Sequence, residues 1–188
     1  MSESPTEHFE HAEHAKHVAL HGDSFTTLVS ITIALLAVVA ATVGSLETLE
    51  SGAAISAKNE AVLYQNKATD QWNFFQAKSL KKNMYDIAAS VDGPKKDDFL
   101  KTARRNEEEG VEIQKEAKKL EEEATAKLEE GSHHEHLHHR LTIAVTLLHV
   151  AIAVATIAII AGGKRWPWFA SILLGVGGTI AAASAYLG

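Results

Sequence analysis

The charged residues of this chain leave three long windows uncharged. Residues 24–46, 141–163 and 166–188 contain no Asp, Glu, Lys or Arg, and each window is 23 residues long. Because a helix rises ~1.5 Å per residue, such a window spans about 35 Å, which exceeds a hydrocarbon core of ~30 Å. The pattern predicts transmembrane helices at 24–46, 141–163 and 168–188, with a short basic loop at 164–167.

The polar stretch between the first two windows predicts a pair of long helices. Residues 47–140 are divided near their midpoint by one strong helix breaker at residues 92–94, Asp-Gly-Pro. Two antiparallel helices of equal length would leave the membrane and return to it at matching height. The predicted fold class is an all-α integral membrane protein, with three transmembrane helices and a long antiparallel, coiled-coil-like helical hairpin between spans 1 and 2.

The outgoing arm of the hairpin carries two apolar faces when its residues are placed at about 100° each. One face can pack on the charged return arm, and it consists of Val62, Trp72, Ala77, Leu80, Met84, Ile87 and Val91. The other consists of Leu63, Tyr64, Phe74, Phe75 and Tyr85, and a two-helix hairpin offers it no partner. An exposed aromatic face is typical of an interaction surface, so the pattern predicts self-association or a protein partner at the hairpin.

Small residues recur within the predicted spans at the spacing of helix contacts. Gly175 and Gly178 lead a series in the third span that continues with Ala181, Ala182 and Ala185, and the first span contains Ala37, Ala40, Ala41 and Gly44. Small side chains allow helices to approach closely in a membrane, so these positions are predicted packing sites.

Charge and cysteine content narrow the function further. The formal net charge is -6 and the chain has no cysteine, so neither a basic nucleic-acid surface nor cysteine chemistry is expected. The first uncharged window is too long for a signal peptide and is interpreted as a retained anchor. Lys164 and Arg165 lie in the shortest loop, which by the positive-inside rule places the N-terminus in the cytoplasm and the hairpin in the periplasm.

One segment of the outgoing arm carries a family resemblance. The stretch at residues 61–79, AVLYQNKATDQWNFFQAKS, resembles the core of the bacterial membrane proteins known as domain-of-unknown-function family 4337. The shared plan covers most of the chain, from a His/Glu-rich lead through the first span and the charged helices to a basic loop before the third span. The resemblance implies a bacterial inner membrane and implies no reaction and no catalytic residues.

Histidines are the strongest chemical signal in the chain, and the first group lies in the N-terminal lead. Residues 1–23 repeat Glu-His or Lys-His every three residues, and on a helix His14, His17 and His21 would share one sector. Such a helix could lie at the membrane surface and bind zinc, nickel or copper. The alternative is a weakly structured polar lead whose composition specifies no site geometry.

A second histidine group precedes the second span. It consists of His133, His134, Glu135, His136, His138 and His139. His134-Glu135-His136-Leu137-His138 formally matches the H-E-x-x-H motif of zinc hydrolases, although five histidines in seven residues make that match easy to reach by chance. The equal arms of the hairpin predict that this run lies at the level of Glu47 and Glu50.

A further histidine lies inside the second predicted span. His149 is expected either to face the bundle interior as a functional polar group or to bond a hydroxyl such as that of Thr42 or Ser45.

Taken together, these features of the sequence support three functions. The first is a non-enzymatic, self-associating scaffold of a membrane assembly, the second a histidine-lined conduit or sensor for divalent metal, and the third, more remote, a membrane zinc hydrolase.

Overall fold

Three α-helices form the part of the chain that the computed structural model describes, which comprises residues 24–91, 93–161 and 164–187. Helix α1 is Ser24–Ala89, α2 is Lys96–Ile160 and α3 is Arg165–Ala185. Each helix contains a segment long and apolar enough to cross a bilayer. The prediction of an all-helical chain is confirmed, and the predictions for the lead at residues 1–23 lie outside the described residues.

Proline placement explains why two helices run unbroken for 66 and 65 residues. Neither α1 nor α2 contains a proline, whereas Pro94 lies between them. Pro167 lies in the first turn of α3, where its missing N–H would have no helical partner in any case. Asp97 and Asp98 occupy the first turn of α2 and interact favourably with the helix dipole there.

The chain divides into two compact units, and the first comprises residues 24–53 and 133–187 among those described. Its core is formed by small and aliphatic side chains of all three helices, including Val29, Ile33 and Ala40 of α1 and Leu141 and Leu148 of α2. Glycines allow close contact within this unit. A Cβ added to Gly178 would lie 3.1 Å from the backbone oxygen of Ala144 and 3.0 Å from Leu148 Cγ, and one added to Gly175 would collide with the Leu36 side chain.

The second unit, residues 54–132, is an antiparallel pair made by the C-terminal part of α1 and the N-terminal part of α2. Contacts between the two segments follow the antiparallel order: Tyr85 packs on Phe99 with ring centroids 6.1 Å apart, Trp72 Nε1 donates to Glu121 Oε1 at 2.8 Å, and Lys127 pairs with Glu60 at 3.1 Å. The helices meet along positions seven residues apart. The buried small residues on this register are Ala54, Ala61, Ala68 and, three repeats further on, Ala89 in α1, and Ala103, Gly110, Ala117, Ala124 and Gly131 in α2.

The assignment of the aromatic face of the hairpin to the free side is wrong for Phe75 and Tyr85. Phe75 lies against α2, where a Cβ added to Gly110 would be 3.7 Å from its ring, and Tyr85 packs on Phe99 of α2. Trp72, a member of the face predicted to pack, does contact α2. Four members of the face predicted to pack are exposed instead: Leu80, Met84, Ile87 and Val91 are between 61% and 71% exposed. The physical reason is that the contact repeats every seven residues through alanines, whose weak hydrophobic signal a 100° projection does not reveal.

Candidate functional site

Polar side chains from all three helices meet within the first unit, in a group that we call the histidine–glutamate cluster: Glu47, Glu50, His134, His138, Thr142 and Tyr186. Helical spacing brings each pair to one face, because residues three or four apart lie one turn from each other. Glu47 and Glu50 are such a pair on α1, and His134 and His138 are another on α2. The prediction that the histidine run returns to the level of the two glutamates is confirmed.

Glu50 is the best-connected member of the cluster. His134 Nδ1 lies 2.6 Å from Glu50 Oε2, and the hydroxyl of Tyr186 donates to Glu50 Oε1 at 2.9 Å. One carboxylate therefore joins α1 to α2 and to the residue that follows α3. Arg140 adds a second link, between α2 and α3, since its Nη1 donates to the backbone oxygen of Ser184 at 3.2 Å.

Glu47 repeats this arrangement one turn earlier on α1. The hydroxyl of Thr142 donates to Glu47 Oε1 at 2.7 Å. His138 Nδ1 lies 3.6 Å from Glu47 Oε1 and 3.4 Å from the backbone oxygen of Glu47. Each of the two histidines thus faces oxygen atoms of one glutamate.

The environment of Glu50 favours its ionised form. The hydrogen bond with His134 is the largest influence and lowers the pKa of Glu50 below its ordinary value of 4.5. Burial acts in the opposite direction, while the hydrogen bond from Tyr186 and the charges of His134 and His133 lower the pKa further. Glu50 is therefore a carboxylate near neutral pH and can only accept hydrogen bonds.

Because Glu50 accepts, Nδ1 of His134 is the donor in this contact, and Nε2 is the ring nitrogen left for another partner. The same reasoning holds for His138, whose Nδ1 has oxygen atoms of Glu47 as its neighbours. The side chains of His134 and His138 are 28% and 34% exposed, respectively. Chemically, the pair offers two oriented imidazoles that can bind a proton or a metal ion through Nε2.

The remaining residues of the run lie at the surface. His133, Glu135, His136 and His139 are exposed, and the ring of His133 packs edge-on against that of His134 with centroids 5.8 Å apart. Among the described residues, no three histidine or acidic side chains are grouped closely enough to hold a metal ion by themselves. Within that part of the chain, the H-E-x-x-H match at residues 134–138 has no third protein ligand of the kind that zinc hydrolases use. The lead histidines, His14, His17 and His21, lie outside the described residues.

His149 is half-buried in the second apolar segment. The hydroxyls of Thr42 and Ser45 donate within their own helix, to the backbone oxygens of Val38 and Ala41 respectively, both at 2.9 Å. Such back-bonding to the preceding turn satisfies a hydroxyl inside an apolar helix.

Sequence reasoning missed two members of the cluster, Thr142 and Tyr186. Thr142 lies one turn beyond His138, so helical spacing alone could have indicated it. Tyr186 carried a weaker signal: it is a hydroxyl-bearing aromatic at the far end of an otherwise apolar window. Its contact with Glu50 depends on how α3 packs, which local pattern does not specify.

A second surface of interest lies in the second unit. The exposed side chains of Leu80, Met84, Ile87 and Val91 follow one another at intervals of four, three and four residues, and we call them the outer stripe. Positions of this spacing form a continuous seam on one side of a helix. Of the aromatic side chains on the predicted aromatic face, Phe74 is 50% exposed, whereas Tyr64, Phe75 and Tyr85 are half-buried.

Comparison with known proteins gives one assignment. The chain matches no curated protein and no solved structure. Residues 25–188, which include all three helices but for the first residue of α1, match the family described as "Domain of unknown function (DUF4337)". The match includes the histidine–glutamate cluster and the outer stripe, and the chain therefore belongs to the DUF4337 family.

Proposed function

We propose that this protein is a non-enzymatic bacterial inner-membrane protein that self-associates and acts as a scaffold for a membrane assembly. The three apolar helix segments cross the bilayer, and residues 54–132 lie outside it. The observation that carries the proposal is the outer stripe, four large apolar side chains that stay exposed in line on the part of α1 that belongs to the second unit.

The spacing of the outer stripe fits a second helix. Intervals of three and four residues are those by which one helix packs along another. Burying a large apolar side chain stabilises an assembly by about 1.5–3 kcal/mol relative to leaving it in water. Four such side chains in line therefore favour association over exposure.

The residues beside the outer stripe fit a second copy of the same chain. One flank carries the uncharged residues Gln76, Asn83 and Ser90, and the other carries Lys81 and Ala88. In a parallel pair Lys81 would face Gln76 of the other copy, and in an antiparallel pair it would face Ala88. Neither direction places two like charges together, so two outer stripes can meet without electrostatic repulsion.

The test uses the absence of cysteine from the chain. Single cysteines replace Met84 and Ile87, and the two variants are mixed in one membrane and oxidised. A disulfide-linked dimer is expected for either direction of pairing. In a parallel pair each of residues 84 and 87 meets the same residue of the other copy, and in an antiparallel pair residue 84 meets residue 87 of the other copy. Val111→Cys and Leu128→Cys are the matched controls, since Val111 and Leu128 are 57% and 55% exposed on α2.

The mass of the particle gives a second measurement. Native mass spectrometry of the wild type should show more than one chain, and the double variant Met84→Ser/Ile87→Ser should shift the particle to a smaller mass. The variant Val111→Ser/Leu128→Ser should keep the wild-type mass. A monomeric wild type, or equal cross-linking at residues 84, 87, 111 and 128, would overturn the proposal.

A further inference from the structure

We propose that His134 and His138 form a binding site for a divalent transition-metal ion, with zinc as the representative case. The two Nε2 atoms are the protein ligands, water completes the coordination, and Glu50 and Glu47 hold the two rings in place. This site is independent of self-association through the outer stripe, which lies in the other unit.

The orientation of the two rings is the first argument. Each Nδ1 faces oxygen atoms of a glutamate on α1, at 2.6 Å for His134 and at 3.4 and 3.6 Å for His138. Histidines that bind metals usually donate their second ring N–H to a carboxylate or a backbone oxygen, which fixes the tautomer and raises the basicity of the ligand atom. Both histidines already have this support.

The spacing of the pair is the second argument. His134 and His138 are four residues apart on α2, so their rings lie on the same face one turn from each other. Two histidines at this spacing on a helix are the usual chelating pair of helical zinc sites. Because both rings contact the same helix α1, they point to the same side of α2.

The local charge and accessibility are the third argument. Glu47 and Glu50 lie beside the imidazoles and would partly neutralise a divalent cation. The guanidinium of Arg140 is directed to the backbone oxygen of Ser184. Both histidines are partly open to solvent, which gives an ion and its water ligands a route of entry.

An imidazole nitrogen binds some metal ions in preference to others. It suits zinc, copper and nickel, whereas calcium and magnesium prefer oxygen ligands. We therefore expect Zn²⁺, Cu²⁺ and Ni²⁺ to bind and Mg²⁺ to leave the site empty at comparable concentration.

The test is a Zn²⁺ titration of the full chain in nanodiscs by isothermal titration calorimetry. To remove zinc binding by the N-terminal lead, the parent chain and all variants carry glutamine in place of the five histidines of residues 1–23. The variant His134→Ala/His138→Ala should lose one zinc equivalent. His136→Ala/His139→Ala, which removes two exposed histidines of the same run, should bind as its parent does. Glu50→Gln should weaken binding by about 10–100-fold, the usual effect of removing such a supporting carboxylate.

A spectroscopic measurement on the parent chain keeps the proposal testable if a variant fails to fold, as judged by its helical circular dichroism. One equivalent of Cu²⁺ should show two equatorial imidazole nitrogens in its electron paramagnetic resonance spectrum. A spectrum without imidazole nitrogen would overturn the site. Equal loss of zinc in both double variants would also overturn it, because any histidines of the run would then suffice.

Discussion

Glu50 shows how one side chain can join three helical elements. It accepts from His134 at 2.6 Å and from Tyr186 at 2.9 Å, and both donors lie more than 80 residues away along the chain. Hydrogen bonds to a charged group contribute about 1.5–3 kcal/mol each, more than neutral ones do. At this scale, the contacts of a single carboxylate determine how α1, α2 and the end of α3 are held together.

The first prediction concerns the pH dependence of stability at Glu50. Its pKa is lower in the folded protein than its ordinary value of 4.5, chiefly through the hydrogen bond with His134. Ionised Glu50 therefore stabilises the fold above the unfolded pKa, and this stabilisation is lost as the pH falls through the lower folded pKa. Glu50→Gln should reduce the unfolding free energy by about 1.5 kcal/mol near neutral pH.

The measurement is the thermal midpoint of circular dichroism in detergent, taken from about pH 7 to about pH 3. The gap between wild type and Glu50→Gln should narrow as the pH falls below 4.5. Glu129→Gln serves as the control because Glu129 is exposed and lies outside the cluster. A gap that stays constant to the acid end would contradict the assigned role of the ionised carboxylate.

At the scale of the helices, small residues decide which faces meet. In the first unit, glycines of α3 contact α1 and α2, since added Cβ atoms at Gly175 and Gly178 would meet Leu36 and Leu148, respectively. In the second unit, buried small residues fall on a seven-residue register, as alanines on α1 and as alanines and glycines on α2. Such positions bring backbones close together, and dispersion contacts over the whole length stabilise the pairing.

The second prediction uses two neighbouring glycines of α3. A Cβ at Gly178 would lie 3.1 Å from a backbone oxygen that cannot easily move, whereas one at Gly177 would meet nothing within 4 Å. Gly178→Leu should therefore destabilise the fold by about 1–3 kcal/mol or more through overpacking. Gly177→Leu is the matched control, and it should leave the thermal midpoint in detergent nearly unchanged. Equal midpoints for the two variants would show that α3 does not pack through Gly178.

The pattern of charges predicted the helices well, because a window without charge is a local property of the sequence. The breaker at residues 92–94 lies in the connection between α1, which ends at Ala89, and α2, which begins at Lys96. The paired faces could not be predicted in the same way. Ala61 and Ala68 are buried with little hydrophobic signal, whereas Ile87 is apolar and exposed, so burial here follows backbone proximity rather than side-chain hydrophobicity.

At the scale of the whole molecule, the proposed topology separates the two histidine groups. With three spans, residues 1–23 and the loop at Lys164 and Arg165 lie on one side of the bilayer, and the histidine–glutamate cluster lies on the other. The proposed metal site must then be complete without the histidines of the lead. The orientation itself depends on the two cations of the short loop, which the positive-inside rule assigns to the cytoplasm.

The third prediction tests this orientation with the cysteine-free chain. Ser90→Cys lies in the connection between α1 and α2 and should react with an impermeant thiol reagent applied to the periplasmic side of spheroplasts. Ser2→Cys should react only after the cells are lysed, because the proposed orientation puts the N-terminus in the cytoplasm. Each variant is also labelled in detergent, which shows that both thiols are reactive once the membrane is removed. Labelling of residue 2 alone in intact spheroplasts would invert the topology. It would place the histidine–glutamate cluster in the cytoplasm, where its metal supply would be the buffered cytoplasmic pool.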